Sequence, residues 1–283
     1  MKRALPYFDY LCTHKDNQNM IKFIKYLFFV CMPAIVLSGC RRQPSTQTTA
    51  TRYGQVEQQS TSTQQRRTDS IASVVSSILP AKSEMACYLD SLGFVNIAEA
   101  DSSIAIDLMY TRADNFTGQV LYEDFHEAYL HPEAMASLLK AQKLLKESHP
   151  GYSLIVYDAA RPMSVQQKMW DAVKGTSRYI YVSNPARGGG LHNYGMAVDI
   201  SILDAQGRPL PMGTPVDYLG KEAHITGEER LVQTGRITAQ QLENRRLLRK
   251  VMKEAGFRPL PSEWWHFNRV SRQTAKEKYR LIP

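Results

Sequence analysis

The sequence predicts an α+β fold: a single domain with a central, mainly antiparallel sheet flanked by helices. Three observations carry that expectation. Segments of helical and of strand period follow one another without the strict alternation of a doubly wound parallel sheet. One strand segment, "MAVDISIL", alternates apolar with small or polar residues, the period of a strand with one face on a core. A late helix carries both a start and a stop signal. With 283 residues and 43% hydrophobic content, the chain has enough apolar material for one large core or two small ones.

Residues 1–39 read as a targeting segment. Lys22 and Lys25 precede the apolar run "YLFFVCMPAIVLSG", which is shorter than the ~20 apolar residues that cross a bilayer, so it reads as a signal peptide. Met20 is an alternative start, from which the signal peptide takes conventional proportions. The tetrapeptide Leu37 to Cys40, "LSGC", resembles a bacterial lipobox, in which the cysteine is lipidated and becomes the mature N-terminus. The expected location is therefore the bacterial cell envelope, with the chain anchored to a membrane at Cys40 and facing the periplasm. Removal of residues 1–39 leaves Cys40 and Cys87. Lipidation consumes the first, so no intramolecular disulfide is expected and Cys87 reads as a small core or surface residue.

Residues 40–83 are dominated by Ser, Thr, Gln and Arg and bury too little to offset ordering, so a flexible tether is expected there. Ile71, Val74, Val75 and Ile78 stand at helical spacing and suggest a short helix before Pro80. Of the net charge of +8, +7 resides in these first two segments, since 24 basic and 23 acidic residues remain from 84 onward. A nearly neutral domain gives no reason to expect nucleic acid, and the basic excess suits export and a tether near anionic lipid.

The domain proper spans 84–283. Met135, Leu138, Leu139 and Leu145 line one side of a helix, and "YSLIVYD" from Tyr152 is a buried strand ending at a polar loop. Pro162 suits the first turn of a helix bearing Val165, Met169, Trp170 and Val173. In "MAVDISIL" the alternation sends Asp199 to the less apolar side. Thr238 and Gln241 form a capping box ahead of Leu248, Val251, Met252 and Ala255, and Gly256 ends that helix. "EWWHFNRV", after Pro261, is a final strand.

The chemistry concentrates in two short stretches. "GGGLHNYGMAVDIS" holds His192 and Asp199 on either side of Gly195, which lets the loop fold back over the strand, and "EWWHF" holds Glu263 and His266. A catalytic zinc takes three protein ligands, commonly imidazole and carboxylate, and keeps a fourth position open. His192, Asp199 and His266 supply that set, one ion per chain. A zinc hydrolase also needs a carboxylate that is not a ligand to take a proton from the attacking water and pass it to the leaving amine; Glu263 stands in the right company. Residues three apart on a regular strand face opposite sides, so Glu263 is expected in a bend after Pro261 and Ser262, with the strand beginning only at the tryptophans. Arg161 has two readings: a fixed guanidinium aimed at charge developing on a carbonyl oxygen, or a structural salt bridge to Asp158. His126, His131, His149 and His224 read as hydrogen-bonded or exposed histidines. One of Trp264 and Trp265 is expected in the core and the other in a pocket wall.

The pattern H-x-x-G-x-A-x-D from His192, with the later Glu263-x-x-His266, resembles the zinc D,D-peptidases that include the D-alanyl-D-alanine dipeptidases. "YTRADNFTG" from Tyr110, "YDAARP" from Tyr157, "PMGTPVDYL" from Pro211 and "NRRLLRKVMKEAGF" narrow the resemblance to the dipeptidase branch, over roughly Gly93 to the C-terminus. It implies zinc at His192, Asp199 and His266, Glu263 as general base and acid, and Arg161 at the oxyanion. It also places Asn115 to Gly118 near the site. Two departures bear on substrate preference: Gly190 stands where family members often have serine, and Ala160 where they have an aromatic residue. The implied activity is hydrolysis of D-Ala-D-Ala or a similar D-containing dipeptide. The alternatives are a D,D-carboxypeptidase or endopeptidase on peptidoglycan stem peptides, and a non-catalytic cell-wall-binding lipoprotein. The long loops 111–130 and 204–230 are candidates for the lid by which a dipeptidase rejects a longer chain.

Overall fold

The computed structural model describes residues 82–283. The expected signal peptide, Cys40, the tether and the helix at Ile71 to Ile78 lie outside the described residues. A five-stranded sheet organises what is described, in the spatial order β2 (Ala105–Ile106), β4 (Ser153–Asp158), β5 (Ala197–Leu203), β7 (Glu263–Asn268), β6 (Arg258–Leu260). Only β2 and β4 run parallel; every other pair is antiparallel, so the α+β expectation holds. A separate antiparallel pair joins β1 (Val95–Asn96) to β3 (Tyr129–Leu130).

Seven helices accompany the strands among the described residues: α1 (Glu84–Ser91), α2 (Ile97–Ala100), α3 (Pro132–Ser148), α4 (Met163–Val173), α5 (Glu228–Gln233), α6 (Ala239–Glu254) and α7 (Arg272–Lys278). In α3, Pro132 sits at the helix start and Met135, Leu138 and Leu145 are buried. Leu139, expected on the same apolar side, is exposed. The capping box of α6 forms as the sequence predicts: Gln241 N–H donates to Thr238 Oγ1 at 3.2 Å and Thr238 N–H to Gln241 Oε1 at 2.8 Å. Leu248, Val251 and Met252 are buried, and Gly256 takes over at φ +99° past the helix end. α3 packs on α6 and on β4, and α6 on β6 and β7.

Two local expectations are corrected. Pro162 is the N-cap, in extended geometry, and α4 begins at Met163. β5 is buried on both faces rather than one, with the turn Leu191–Tyr194 packed against it. Asp199 is therefore no surface residue but is 4% exposed. Among the described residues no helix is long and apolar enough to cross a membrane.

Candidate active site

Strand register sets the core of the site. Asp199 pairs with His266 on β7 and with Asp158 on β4, which lines up three polar residues across three adjacent strands. Val156 pairs with Ile200 while Asp158 pairs with Asp199, so β4 slips by one residue at Tyr157. A one-residue slip turns a side chain to the other face of a sheet, and this bulge brings Asp158 onto the face of Asp199. Val198 and Ile200, pointing the other way, are fully buried, each contributing about 1.5–3 kcal/mol by burial. The polar row thus rests on an apolar footing.

His192 enters from a one-turn 3-10 helix, Leu191–Tyr194. Gly195 closes it at φ +63°, where a Cβ would meet a ring carbon of Phe94 at 2.4 Å and the backbone nitrogen of His131 at 3.0 Å. The loop folds back because glycine stands there. His192 Nδ1 lies 2.8 Å from the Ala159 carbonyl, and a carbonyl can only accept, so Nδ1 carries the proton. His266 Nε2 likewise donates to Asn268 Oδ1 at 2.8 Å. Those bonds leave His192 Nε2 and His266 Nδ1 as lone-pair atoms 3.2 Å apart. Asp199 oxygens approach them at 3.4 and 3.0 Å. Two imidazole lone pairs and a carboxylate facing one point repel one another unless a cation lies between them. The ligand atoms of His192, Asp199 and His266 fall within 4.8 Å of one another, which fits a divalent ion. Burial by itself raises the Asp199 pKa, and positive charge beside it, on an imidazole or a cation, lowers it.

Glu263 joins this group by a route other than the expected one. β7 already begins at Glu263, not at the tryptophans. The irregularity falls inside the strand: Pro259 of β6 pairs with Phe267, and the next residue, Leu260, pairs with Glu263. Trp264, Trp265 and His266 bulge between those partners, and the side chains of Glu263 and His266 converge to 3.8 Å despite their spacing. Burial pushes the Glu263 carboxyl up to about 7, with His266 opposing the rise. That value suits a group that must accept and return a proton near neutrality.

Arg161 makes the expected salt bridge to Asp158. Nε donates to Asp158 Oδ2 at 2.9 Å, Nη2 donates to the same oxygen, and Nη1 donates to Gln166 Oε1 at 2.9 Å. A guanidinium has five N–H groups, so two remain beyond these bonds, and Nη2 stands 3.7 Å from Asp199 Oδ2. Burial disfavours its charge, but Asp158, Tyr110, Tyr122 and Asp199 together keep it protonated. The Asp158 salt bridge is what fixes the guanidinium beside the polar row. Asp158 is itself anchored by the Tyr122 hydroxyl at 2.6 Å.

These groups open into a cavity of about 410 Å³ lined by His192, Asp199, Glu263, His266 and Arg161. Phe116 from the loop 111–130 and Asp217 from the loop 204–230 also line it, so both candidate lid loops border the site. Asp217 escaped the sequence reading. Its signal was a carboxylate within "PMGTPVDYL", a stretch singled out only for resemblance. It adopts φ +67°, accepts the Tyr110 hydroxyl at 3.1 Å and the Phe116 N–H at 3.1 Å, and burial pushes its pKa up to about 7. Trp265 is the cavity wall, whereas Trp264 packs under the Arg245 guanidinium and donates to Thr214 Oγ1. Asn115 ties its own turn through Arg112 and Gln119 carbonyls. His126, His131, His149 and His224 belong to no metal-capable group among the described residues.

The comparisons with known proteins agree with this geometry. Residues 90–281 match the model of the peptidase M15 family, described as D-ala-D-ala dipeptidase. A D-alanyl-D-alanine dipeptidase of Escherichia coli (strain K12) is 30% identical over 178 residues, covering 63% of this chain and 85% of that protein. One from Enterococcus faecium is 28% identical over 194 residues, covering 62% and 91%. One from Enterococcus faecalis (strain ATCC 700802 / V583) is 26% identical over 198 residues, covering 63% and 92%. A match over most of the described residues, around a buried His-Asp-His group, leaves one assignment: this chain belongs to the peptidase M15 family and is a metallopeptidase.

Proposed function

We propose that the protein is a zinc-dependent dipeptidase that hydrolyses D-Ala-D-Ala or a similar small D-containing dipeptide. The observation that carries this reading is the meeting of three lone-pair donors within 4.8 Å of one another, with Glu263 3.8 Å from one of them. His192, Asp199 and His266 would hold the ion, and imidazole and carboxylate in this number are what zinc takes in catalytic sites. When bound, such an ion polarises a carbonyl and acidifies water. Glu263 takes the proton of the attacking water and returns it to the leaving amino group, a task its pKa of about 7 suits. Arg161, clamped by Asp158, presents its remaining N–H groups to the oxygen on which charge develops. Asp217, a buried carboxylate on the loop side of the cavity, suits the dipeptide's ammonium group.

Metal analysis of the purified chain should find about one zinc per chain, with hydrolysis of D-Ala-D-Ala. Absence of metal, or turnover only of a pentapeptide stem, would overturn the reading. The location proposed from the sequence is the envelope, through lipidation of Cys40. The supporting observation is the charged flank, apolar run and "LSGC" that precede the tether. Fatty-acid labelling that persists in Cys40→Ala would refute it.

A further inference from the structure

The two ends of a dipeptide differ in charge, and the proposed function, on which this inference rests, accounts only for the ammonium end. The cavity continues into a groove of about 630 Å³ that shares Tyr181, Val182, Ser183, Leu260, Glu263 and Arg272 with it. Tyr110, Phe116 and Asp217 line the cavity but not the groove. The groove therefore leaves the catalytic centre on a side other than that of the buried Asp217 carboxylate. A cavity of about 410 Å³ already lies in the range that encloses a small ligand. The groove is room that two alanines do not use.

Its chemistry is cationic. Arg272 lines both spaces and Arg187 lines the groove, and neither forms an ion pair with a carboxylate among the described residues. Lys174, also on the groove, is neutralised by Asp171 at 2.6 Å. The Arg272 guanidinium donates to the Arg187 carbonyl at 3.2 Å, which places it over the segment that carries Ser183. Ser183 stands at the junction. Its backbone carbonyl accepts from Gln166 Nε2 at 2.8 Å, while its hydroxyl makes no hydrogen bond among the described residues.

Gly190 explains how that hydroxyl comes to lie there. Its φ of −107° is open to any residue, so backbone conformation does not require glycine. Space is tight: a Cβ at Gly190 would lie 3.0 Å from Ser183 Oγ and 3.4 Å from Ser183 Cβ. The Ser183 hydroxyl, from another loop, lies where a side chain at Gly190 would begin.

We infer that Ser183 reads the carboxyl end of the substrate, and that the groove beyond it, edged by Arg272 and Arg187, admits a C-terminal residue larger than alanine, preferring an acidic one. The substrate class is then a D,D-dipeptide with a second carboxylate on its C-terminal residue. A neutral side chain of equal size fills the same groove without meeting the arginines, and so isolates the charge.

The test measures kcat and KM of the full chain on D-Ala-D-Ala, D-Ala-D-Glu and D-Ala-D-Gln. The wild-type chain should prefer D-Glu to the isosteric D-Gln by about tenfold, as a charge-assisted contact gives. Arg272→Ala and Arg187→Ala should shrink that ratio, and added salt should shrink it further. Ser183→Ala should raise KM about tenfold on all three peptides with little change in kcat, and Ser183→Thr should restore it. Gly190→Ala, which crowds Ser183, should resemble Ser183→Ala. Equal rates on D-Glu and D-Gln, or a ratio unmoved by both arginine variants, overturn the acidic preference. An unmoved KM in Ser183→Ala overturns the carboxylate contact. Failure to hydrolyse any D-peptide overturns the dipeptidase reading itself, and the groove assignment with it.

Discussion

The cavity has two walls built by different means. Asp199 and His266, in register on hydrogen-bonded strands, form one wall, whereas Phe116, Ser183 and Asp217 stand on irregular segments. The strand wall gains its geometry from sheet pairing over an apolar footing, and groups that must meet one ion need such fixed spacing. The loop wall is held by single contacts: the Phe116 N–H on Asp217, the Tyr110 hydroxyl on Asp217, the Gln166 amide on the Ser183 carbonyl. Loops carry specificity because their side chains can change without disturbing the scaffold. Damage to the strand wall should therefore remove turnover, and damage to the loop wall should redistribute affinity.

The largest effects fall on the strand wall. Glu263→Gln keeps the shape of the side chain and removes the proton acceptor, so kcat should fall by about 10²–10⁴-fold while metal content stays unchanged. Metal analysis beside steady-state kinetics checks both halves; loss of metal together with activity would make Glu263 a ligand instead. Stripping the metal with a chelator should abolish activity and lower the thermal midpoint, because a ligand that binds only the folded state stabilises it. Stoichiometric zinc should restore both.

Arg161→Lys comes next. A lysine keeps the charge but cannot make the fork on Asp158 Oδ2 and the bond to Gln166 together. Loss of a group aimed at developing charge costs about 10²–10³ in kcat. The loss should appear in kcat more than in KM; a pure KM effect would place Arg161 on the ground-state substrate.

Asp217→Asn shifts the comparison to the loop wall. Removing the charge should raise KM for D-Ala-D-Ala about tenfold or more, the worth of a hydrogen bond to a charged group. The same variant has a stability signature with a definite sign. Burial lifts the Asp217 pKa from 3.8 to about 7, so the folded state favours the protonated carboxyl. The stability this gives is complete below pH 4 and is lost as pH rises from about 4 to about 7. Asparagine has no such loss and tolerates positive φ well. Asp217→Asn should therefore raise the thermal midpoint more at pH 8 than at pH 5, and equal shifts at both would contradict the buried, raised carboxyl.

How much of this was legible beforehand follows the same division. His192, Asp199, His266 and Glu263 could be read because the chemistry of a metal hydrolase restricts residue type, and the α6 capping box because it is local. The two strand irregularities that make those residues converge were not readable. The bulge at Tyr157 and the slip at Trp264 to His266 are properties of pairing with strands far along the chain. The burial of Asp199 was missed because alternation within one segment does not reveal what packs over the sheet's second face. Ser183, Arg272 and Asp217 were missed because a lone serine, arginine or aspartate on a loop has no period, and only their placement around one cavity distinguishes them.

The smallest effect probes what holds the loop wall at all. Asn244 on α6 donates to the Pro211 carbonyl at 2.7 Å, and Arg245 beside it donates to the Met212 and Glu222 carbonyls. Both ends of the segment 211–222, which carries Asp217, thus hang from one helix. Asn244→Ala removes its bond to Pro211, worth about 1 kcal/mol, and one from Gln240 on the same helix, and leaves the Arg245 bonds in place. KM should rise by about fivefold, with kcat and metal content unchanged, and amide exchange should quicken over 211–222 alone. If kcat falls with KM, the loop wall also positions the reacting atoms, and the division of labour between the two walls is less clean than their construction implies.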